Sequence, residues 1–193
     1  MLKPLILASS SVYRQALLDR LQIQYQSCSP DIDESRRPGE TAHDYVSRLS
    51  VAKAAAVASH YPNSLIIGAD QAAVRDGQIL GKPGNHARAL AQLQQASGRQ
   101  LDFYSGLALM NSASGQIQVD VIQTRVHFRV LDEAAIERYL QREQPYDCAG
   151  SFRSEGLGIA LFKRIETDDP TALIGLPLIR LIAMLNAEGI TLP

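Results

Sequence analysis

Short apolar runs alternate along this chain with longer segments in which apolar residues recur every three or four positions. Runs of four to eight apolar residues bounded by turn residues are typical of buried strands, and the longer spacing is typical of amphipathic helices. The clearest run, residues 64–70, ends in a small residue and then a carboxylate, Asp70. The alternation predicts an α/β fold. It places Asp70 at the carboxyl end of a strand, where ligands bind in open α/β sheets.

The pattern predicts strands and helices in turn over the whole chain. Predicted strands cover 4–8, 23–27, 64–70 with 71–74 continuing in extended form, 101–110, 116–130 and 157–165. Predicted helices cover 12–21, 41–60, 86–96, 132–142 and 178–187. Within 116–130 the apolar alternation shifts from odd to even positions near Val121 and Ile122, which predicts a bulge or bend and different packing partners for the two halves.

One residue breaks the apolar stripe of the helix predicted from Thr41. Val46, Leu49, Lys53 and Val57 follow one another at spacings of three, four and four, so they share one helical face. Lysine is rarely fully buried without a partner. The Lys53 side chain therefore either extends to the surface or reaches a carboxylate or phosphate. We favour the second interpretation, since several candidate anions are available.

The first predicted strand is followed by three serines and a helix with an arginine in its first turn. A helix start offers free backbone N–H groups and a positive dipole end, Ser11 is suited to cap it, and Arg14 adds a fixed charge. This arrangement favours an anion site, most simply for phosphate. The alternative is a serine-capped helix with a solvated arginine.

Two further loops carry candidate chemistry. Asp31, Asp33 and Glu34 occupy three of four consecutive positions, and clustered carboxylates can bind a divalent cation, although a charged surface loop has the same composition. Lys82 lies between a glycine and a proline. Its backbone is therefore constrained, which suits a lysine that points at a phosphate as well as an ordinary turn lysine.

Composition narrows the class of protein. The 193 residues are 46% hydrophobic and 20% charged with a net charge of -1, without the basic excess that usually accompanies nucleic-acid binding. No apolar run approaches the roughly 18 residues that span a membrane, and the first residues are too short for a signal peptide. Cys28 and Cys148 share no metal-type spacing with the histidines. We therefore expect a cytoplasmic protein without a zinc site or disulfide framework.

Taken in order, these stretches resemble the Maf family of nucleoside triphosphate pyrophosphatases over essentially the whole chain. The matching motifs are 7–11 with Arg14, Asp33 with Glu34, Arg48 with Leu49, Lys53 with Ala54, 67–70, 81–83, 149–151 and 175–178. The family is similar in fold to the inosine triphosphate pyrophosphatases. The resemblance implies a mixed α/β fold in which a long bent sheet is flanked by helices. It also implies one Maf-like domain over 1–193, with two lobes around a nucleotide cleft.

The resemblance also implies an activity. Family members cleave the α–β phosphoanhydride of a nucleoside triphosphate, release pyrophosphate, require a divalent cation such as Mg²⁺ or Mn²⁺ and are often homodimers. The residues implied for catalysis are Asp70, Glu34, Lys53 and Lys82, with Asp70 and Glu34 also as metal ligands, and those implied for phosphate binding are Ser9, Ser11 and Arg14. Asp70 would either take the proton directly or hold a metal-bound water. A base, a metal and positive charge are what attack on a phosphoryl group requires.

Three departures from the common family pattern concern the substrate. Tyr13 replaces an arginine, Gln71 a threonine and Glu155 a glutamine, and this trio resembles the branch that hydrolyses 7-methyl-GTP, although an aromatic residue other than tyrosine is expected at position 13. An aromatic face attracts the cationic 7-methylguanine, and a carboxylate can accept two guanine N–H groups. The alternatives are a pyrophosphatase with broader or dTTP/UTP specificity, or a nucleotide-binding regulator of cell division.

Overall fold

Helices and strands alternate through residues 3–192, the part of the chain that the computed structural model describes. The strands are β1 (Leu5–Ala8), β2 (Gln26–Cys28), β3 (Leu65–Arg75), β4 (Gln78–Leu80), β5 (Gln100–Asn111), β6 (Ile117–Phe128) and β7 (Phe162–Thr167). The α-helices are α1 (Val12–Asp19), α2 (Ala42–Ala58), α3 (His86–Ala96), α4 (Glu133–Glu143) and α5 (Leu178–Ala187). Short 3₁₀ turns cover Ala149–Ser151, Leu157–Leu161 and Ala172–Ile174.

The seven strands form one mixed sheet in the order β2-β1-β3-β5-β6-β7, with β4 paired to β3. β1 is parallel to both β2 and β3, whereas β3 with β4 and β6 with β7 are antiparallel. The parallel part is built from crossovers through helices, as parallel strands require. The predicted class, a mixed α/β fold, is confirmed.

The chain divides into two compact units. The first unit comprises the residues up to Gln71, Ser105–Ile122 and those from Asp169 onward, and the second comprises Ala72–Tyr104 and Gln123–Asp168. The boundary in β6 falls next to the predicted shift of apolar phase at Val121 and Ile122. The two halves of β6 belong to different units, which confirms that they have different packing partners. The nucleotide cleft between two lobes stays a prediction.

The core of the first unit has one layer on each side of β1 and β3. Alternate strand residues point to opposite faces, so the odd positions of both strands pack with α1 and α5, and the even positions pack with α2. The odd-face residues are Leu5, Leu7, Leu65, Ile67 and Ala69, and the even-face residues include Ile6, Ala8 and Ile66. Burial of each large apolar side chain contributes about 1.5–3 kcal/mol.

Helix α2 packs unusually close to the sheet. A Cβ atom on Gly68 of β3 would collide with the Ser50 carbonyl oxygen and would lie 2.9 Å from the Ala54 nitrogen. A Cβ atom on Gly106 of β5 would collide with Ser50 and Val46 in the same way. Only glycine allows the backbone of α2 to come so close to the two strands. This close packing holds the middle of α2, where Lys53 lies, directly against β3.

The second unit packs around the four phenylalanines of the chain. Their rings meet edge to face with centroid separations of 4.7–5.7 Å, an arrangement that aromatic quadrupoles favour. The four are Phe103, Phe128, Phe152 and Phe162. Gly150 passes beside this cluster with φ +76°, and a Cβ atom there would lie 2.9 Å from Phe103.

Two predicted strands are displaced. The strand predicted over 23–27 is observed as Gln26–Cys28. The strand predicted over 157–165 is wrong in its first half, because Leu157–Leu161 forms a 3₁₀ turn and β7 begins at Phe162. Leu157 and Ile159 are exposed, so the apolar alternation there does not come from burial on one sheet face. Within residues 3–192, no helix combines the length and apolar character needed to cross a membrane.

Candidate active site

Asp70 lies in the interior of β3, and the prediction that it ends its strand is wrong. β1 pairs with β3 only as far as Ala8 and Gly68, whereas β3 continues to Arg75. The continuation is stable because its small and apolar residues are buried and pair with β4. Asp70 therefore lies two residues beyond the end of the neighbouring strand. Its carboxylate is nearly buried there, with a relative exposure of 7% for the residue.

Lys53 of α2 reaches the Asp70 carboxylate. Its side chain is nearly buried, with a relative exposure of 6% for the residue. Its Nζ lies 2.6 Å from Oδ1 of Asp70 and 2.8 Å from Oε1 of Glu34. The lysine therefore reaches carboxylates and does not extend to the surface. Its place on an apolar stripe is explained by this pair of partners.

The loop that carries Glu34 is fastened to α2. Tyr45 donates its hydroxyl to the Glu34 carbonyl at 3.0 Å, and Arg48 donates to the Ser35 carbonyl at 3.1 Å. Arg48 also makes a bidentate pair with Glu40, at 2.6 and 2.8 Å, and this hydrogen bonding lowers the pKa of Glu40 to about 2. These contacts hold the Glu34 carboxylate near Lys53 although that side chain is 55% exposed.

The other two acidic residues of this loop, Asp31 and Asp33, contact solvent or their own loop. Asp33 accepts hydrogen bonds from the backbone N–H and the hydroxyl of Ser35, at 2.8 and 2.6 Å, and these bonds lower its pKa. Asp31 is exposed. Of the three clustered carboxylates, Glu34 is the one that meets Lys53.

The burial of Asp70 raises the pKa of its carboxyl group above the usual value. Lys53 and, more weakly, Arg14 oppose this shift, while the Glu34 charge adds to it. A carboxylate with a raised pKa is a stronger proton acceptor than an exposed aspartate. Buried titratable groups with specific charge partners are candidates for functional sites.

The residues predicted to bind phosphate also lie together in the first unit. Ser11 caps α1 by accepting from the Arg14 backbone N–H, and its own N–H donates to the Ser9 hydroxyl at 3.1 Å. The Arg14 guanidinium donates through Nε to the Gly175 carbonyl at 2.9 Å and through Nη1 to the Ser9 hydroxyl at 3.4 Å. Burial lowers the pKa of Arg14, and the charges of Asp70 and Glu34 oppose that shift. The helix start, the hydroxyls and Arg14 thus form one polar group next to Asp70.

The sequence did not reveal what holds Arg14. Besides the Ser9 hydroxyl, its partner is the backbone carbonyl of Gly175, and a carbonyl leaves no residue-type signal. The family motif at 175–178 includes Gly175, but it does not indicate that this residue contacts Arg14. Tyr45 and Glu40 carry no sequence signal for a related reason, since their part is to anchor the Glu34 loop. Arg48 belongs to a family motif, but the motif does not indicate this role.

A divalent cation is compatible with the donors present. Among residues 3–192, no three histidine, cysteine or acidic side chains converge as a metal cage. Asp70 and Glu34 nevertheless both contact Lys53 Nζ, at 2.6 and 2.8 Å. Mg²⁺ is commonly held by one or two carboxylates together with substrate phosphate oxygens. These two residues would be its protein ligands.

The predicted specificity residues are dispersed. Tyr13 is half-buried in the first turn of α1. Gln71 points away from Asp70, as successive strand residues do, and its amide nitrogen donates to the Ser105 hydroxyl and to the carbonyls of Ala172 and Leu173. Its part in base selection stays a prediction.

Glu155 and Lys82 belong to the second unit, where both are exposed. Lys82 lies in the loop between β4 and α3, and Glu155 lies just before the 3₁₀ turn Leu157–Leu161. The site in the first unit brings together six predicted residues: Ser9, Ser11, Arg14, Glu34, Lys53 and Asp70. The roles of Lys82 and Glu155 stay predictions.

Comparisons with known proteins identify the family of the chain. Residues 4–188 match the family of Maf-like proteins. The chain is 59% identical over 189 residues to a protein from Pseudomonas savastanoi pv. phaseolicola named 7-methyl-GTP pyrophosphatase, with 98% of each chain covered. It is 57% identical, with the same coverage, to a protein of that name from Pseudomonas aeruginosa. A HAM1 protein structure from Coxiella burnetii is similar at a TM-score of 0.47 and 16% identity, over 66% of this chain and 73% of that one. The chain belongs to the Maf family.

Proposed function

We propose that the protein is a pyrophosphatase that hydrolyses 7-methyl-GTP to 7-methyl-GMP and pyrophosphate. The observation that carries the reaction type is the buried Lys53 ammonium in contact with both Asp70 and Glu34. A charge arrangement of this kind is costly to bury and is suited to catalysis of phosphoryl chemistry. The choice of substrate is supported by relatives of that name that are 57–59% identical over 98% of the chain.

In this proposal each site residue of the first unit has its own role in the reaction. Asp70 accepts a proton from the attacking water, and its raised pKa favours this role. Lys53 keeps the Asp70 carboxylate oriented. As the new bond to the α-phosphorus forms, the bond to the bridging oxygen breaks, and pyrophosphate carries away the electron pair. Ser9, Ser11 and Arg14 stabilise the charge on the phosphates.

A divalent cation, Mg²⁺ or Mn²⁺, is part of the proposal. When bound through Asp70 and Glu34 it would supply positive charge for the phosphate oxygens. Lys82 is assigned to the same phosphates. Addition of EDTA should abolish pyrophosphate release and Mg²⁺ should restore it.

We further propose that the protein works in the cytoplasm as a homodimer, and light scattering of the purified protein tests the dimer.

Recognition of the base is assigned to two residues. The face of Tyr13 attracts the cationic 7-methylguanine by stacking and cation–π attraction of roughly 0.5–2 kcal/mol. The Glu155 carboxylate accepts the two adjacent N–H groups of guanine, which uracil and thymine lack. Both preferences point toward a methylated guanine nucleotide.

The test is pyrophosphate release from 7-methyl-GTP, GTP, UTP and dTTP with Mg²⁺ or Mn²⁺. We expect the highest kcat/KM for 7-methyl-GTP. Equal rates for all four would favour the broader enzyme, and tight nucleotide binding without turnover would favour the regulator.

Asp70→Asn tests the reaction mechanism. It should lower kcat by roughly 10²–10⁴-fold while circular dichroism shows a folded protein. Asp31→Asn, in the exposed part of the acidic loop, is the matched control and should keep full activity. Unchanged turnover in Asp70→Asn would remove this residue from the mechanism.

A further inference from the structure

The loop that carries Lys82 is fastened at both ends within the second unit. The Gly81 carbonyl accepts a hydrogen bond from Nε2 of Gln92 at 3.0 Å. The Gly84 backbone N–H donates to the Tyr146 carbonyl at 2.9 Å. Lys82 itself is exposed. The contacts on either side therefore hold its backbone in place, and with it the point from which the side chain extends.

Gln92 of α3 uses both ends of its amide. Its nitrogen holds the Gly81 carbonyl, and its oxygen accepts the Ser151 hydroxyl at 2.5 Å. The two bonds fix the orientation of the amide plane. Gln92 thus connects the backbone beside Lys82 to the 3₁₀ turn Ala149–Ser151 in the same unit.

Ser151 has a backbone conformation that serine disfavours. Its φ is +63°, directly after Gly150 at +76°, and glycine adopts such values without the steric cost that a Cβ atom brings. The residue is also fully buried. Strained residues persist where the surrounding structure requires them. A glycine at position 151 would adopt this φ without strain, but it would lack the hydroxyl that donates to the Gln92 side-chain oxygen.

We infer that Gln92 and Ser151 are positioning residues that fix the Lys82 loop in one conformation. The inference rests on the proposed function, in which Lys82 binds the triphosphate. If the loop were free, the lysine would spend only part of its time in the productive direction, and a displacement of about 1 Å can cost roughly a hundredfold in rate. A fixed loop also avoids the entropic cost of ordering it when the nucleotide binds.

Two substitutions test the two hydrogen bonds of Gln92 separately, the one to the Gly81 carbonyl and the one from the Ser151 hydroxyl. Gln92→Glu keeps an acceptor for Ser151 but places a carboxylate against the Gly81 carbonyl. Ser151→Gly removes the hydroxyl and relieves the positive-φ strain. We expect each to lower kcat/KM for 7-methyl-GTP by roughly ten- to a hundredfold. Gln95→Glu adds the same charge at an exposed position of the same helix and should leave kcat/KM unchanged.

A double-mutant cycle distinguishes positioning from a general structural effect. In a Lys82→Ala background, Gln92→Glu should have no further effect on kcat/KM, because its action passes through Lys82. Hydrogen exchange of the backbone amides of Gly81, Lys82 and Gly84 should become faster in Gln92→Glu and Ser151→Gly than in Gln95→Glu. This readout does not depend on activity.

The outcomes separate this inference from the proposed function. Wild-type protein that releases no pyrophosphate from any nucleotide overturns the proposed function. In that case the hydrogen exchange of residues 81–84 still decides whether Gln92 and Ser151 hold the Lys82 loop. If the wild type is active, the inference is overturned by any of three results. These are full activity of Lys82→Ala, additive losses in the cycle, or exchange at 81–84 that does not change.

Discussion

Replacement of Lys53 by methionine should destabilise the protein, and the loss should grow with pH. The side chains of Lys53 and Asp70 are only 8% and 9% exposed, and they meet at 2.6 Å. Lys53→Met retains most of the apolar stem but leaves the Asp70 carboxylate buried without its cation. Glu34, at 55% exposure, remains solvated and contributes little to the loss.

The magnitude follows from the burial of the pair. Removal of one partner of a buried ion pair costs about 3–5 kcal/mol. Because water is nearly excluded from both groups, little of this loss is screened. For a chain of this length, 1 kcal/mol shifts Tm by about 2–4 °C, so a decrease of roughly 6–20 °C is expected at pH 8.

The sign of the pH dependence follows from Asp70. Burial already raises its pKa in the folded protein, and without Lys53 that pKa rises further. The folded variant then binds a proton that the unfolded chain releases. Its stability relative to the wild type is therefore highest below the unfolded pKa, and it falls as pH rises through the folded pKa.

Urea denaturation of the wild type and Lys53→Met at pH 5 and pH 8 measures this effect, with Lys53→Met/Asp70→Asn as the matched control. The double variant buries no charge at these two positions, so it should recover much of the stability at pH 8. An equal loss of stability at both pH values would contradict the reasoning. So would a double variant whose loss equals the sum of the two single losses.

Three other substitutions test separate parts of the structure. Tyr13→Arg with Glu155→Gln should move the preference from 7-methyl-GTP toward UTP or dTTP, and a ratio of kcat/KM values that stays constant would refute the assignment. Gly68→Ala should cost about 1–3 kcal/mol in urea denaturation, because its Cβ would push α2 away from the sheet; wild-type stability would show that the helix adjusts freely. Asp169→Ala should cost about 0.5–2 kcal/mol, since Asp169 accepts two backbone N–H groups at the start of Leu178–Ala187, and a smaller loss would mean that water replaces it.

The burial of Lys53 could be predicted because it concerns one helix and one spacing. A lysine between Leu49 and Val57 on an apolar face has few stable arrangements, and contact with an anion is one of them. The identity of the anion required the fold. Glu34 and Asp70 are 19 residues before and 17 residues after Lys53 along the chain, and no local pattern indicates that both reach it.

The position of Asp70 could be predicted only in part. The apolar run up to residue 69 identified β3, but the end of a strand depends on which neighbours it pairs with. β1 stops at Ala8, whereas β3 pairs further along with β4. The edge of the sheet at which Asp70 meets Lys53 is therefore the end of β1 and not the end of β3. Pairing partners of this kind are non-local and leave no trace in hydrophobic periodicity.

Gln71 shows how one residue step changes a role. Because side chains alternate along a strand, Gln71 cannot share the face from which Asp70 meets Lys53. Its amide nitrogen instead holds the carbonyls of Ala172 and Leu173, and the same short segment ends at Gly175, whose carbonyl holds Arg14. An exchange at position 71 would therefore change the support of Arg14, the arginine predicted to bind phosphate. Any effect of Gln71 on nucleotide preference is expected to pass through that segment and not through contact on the Asp70 side of the sheet.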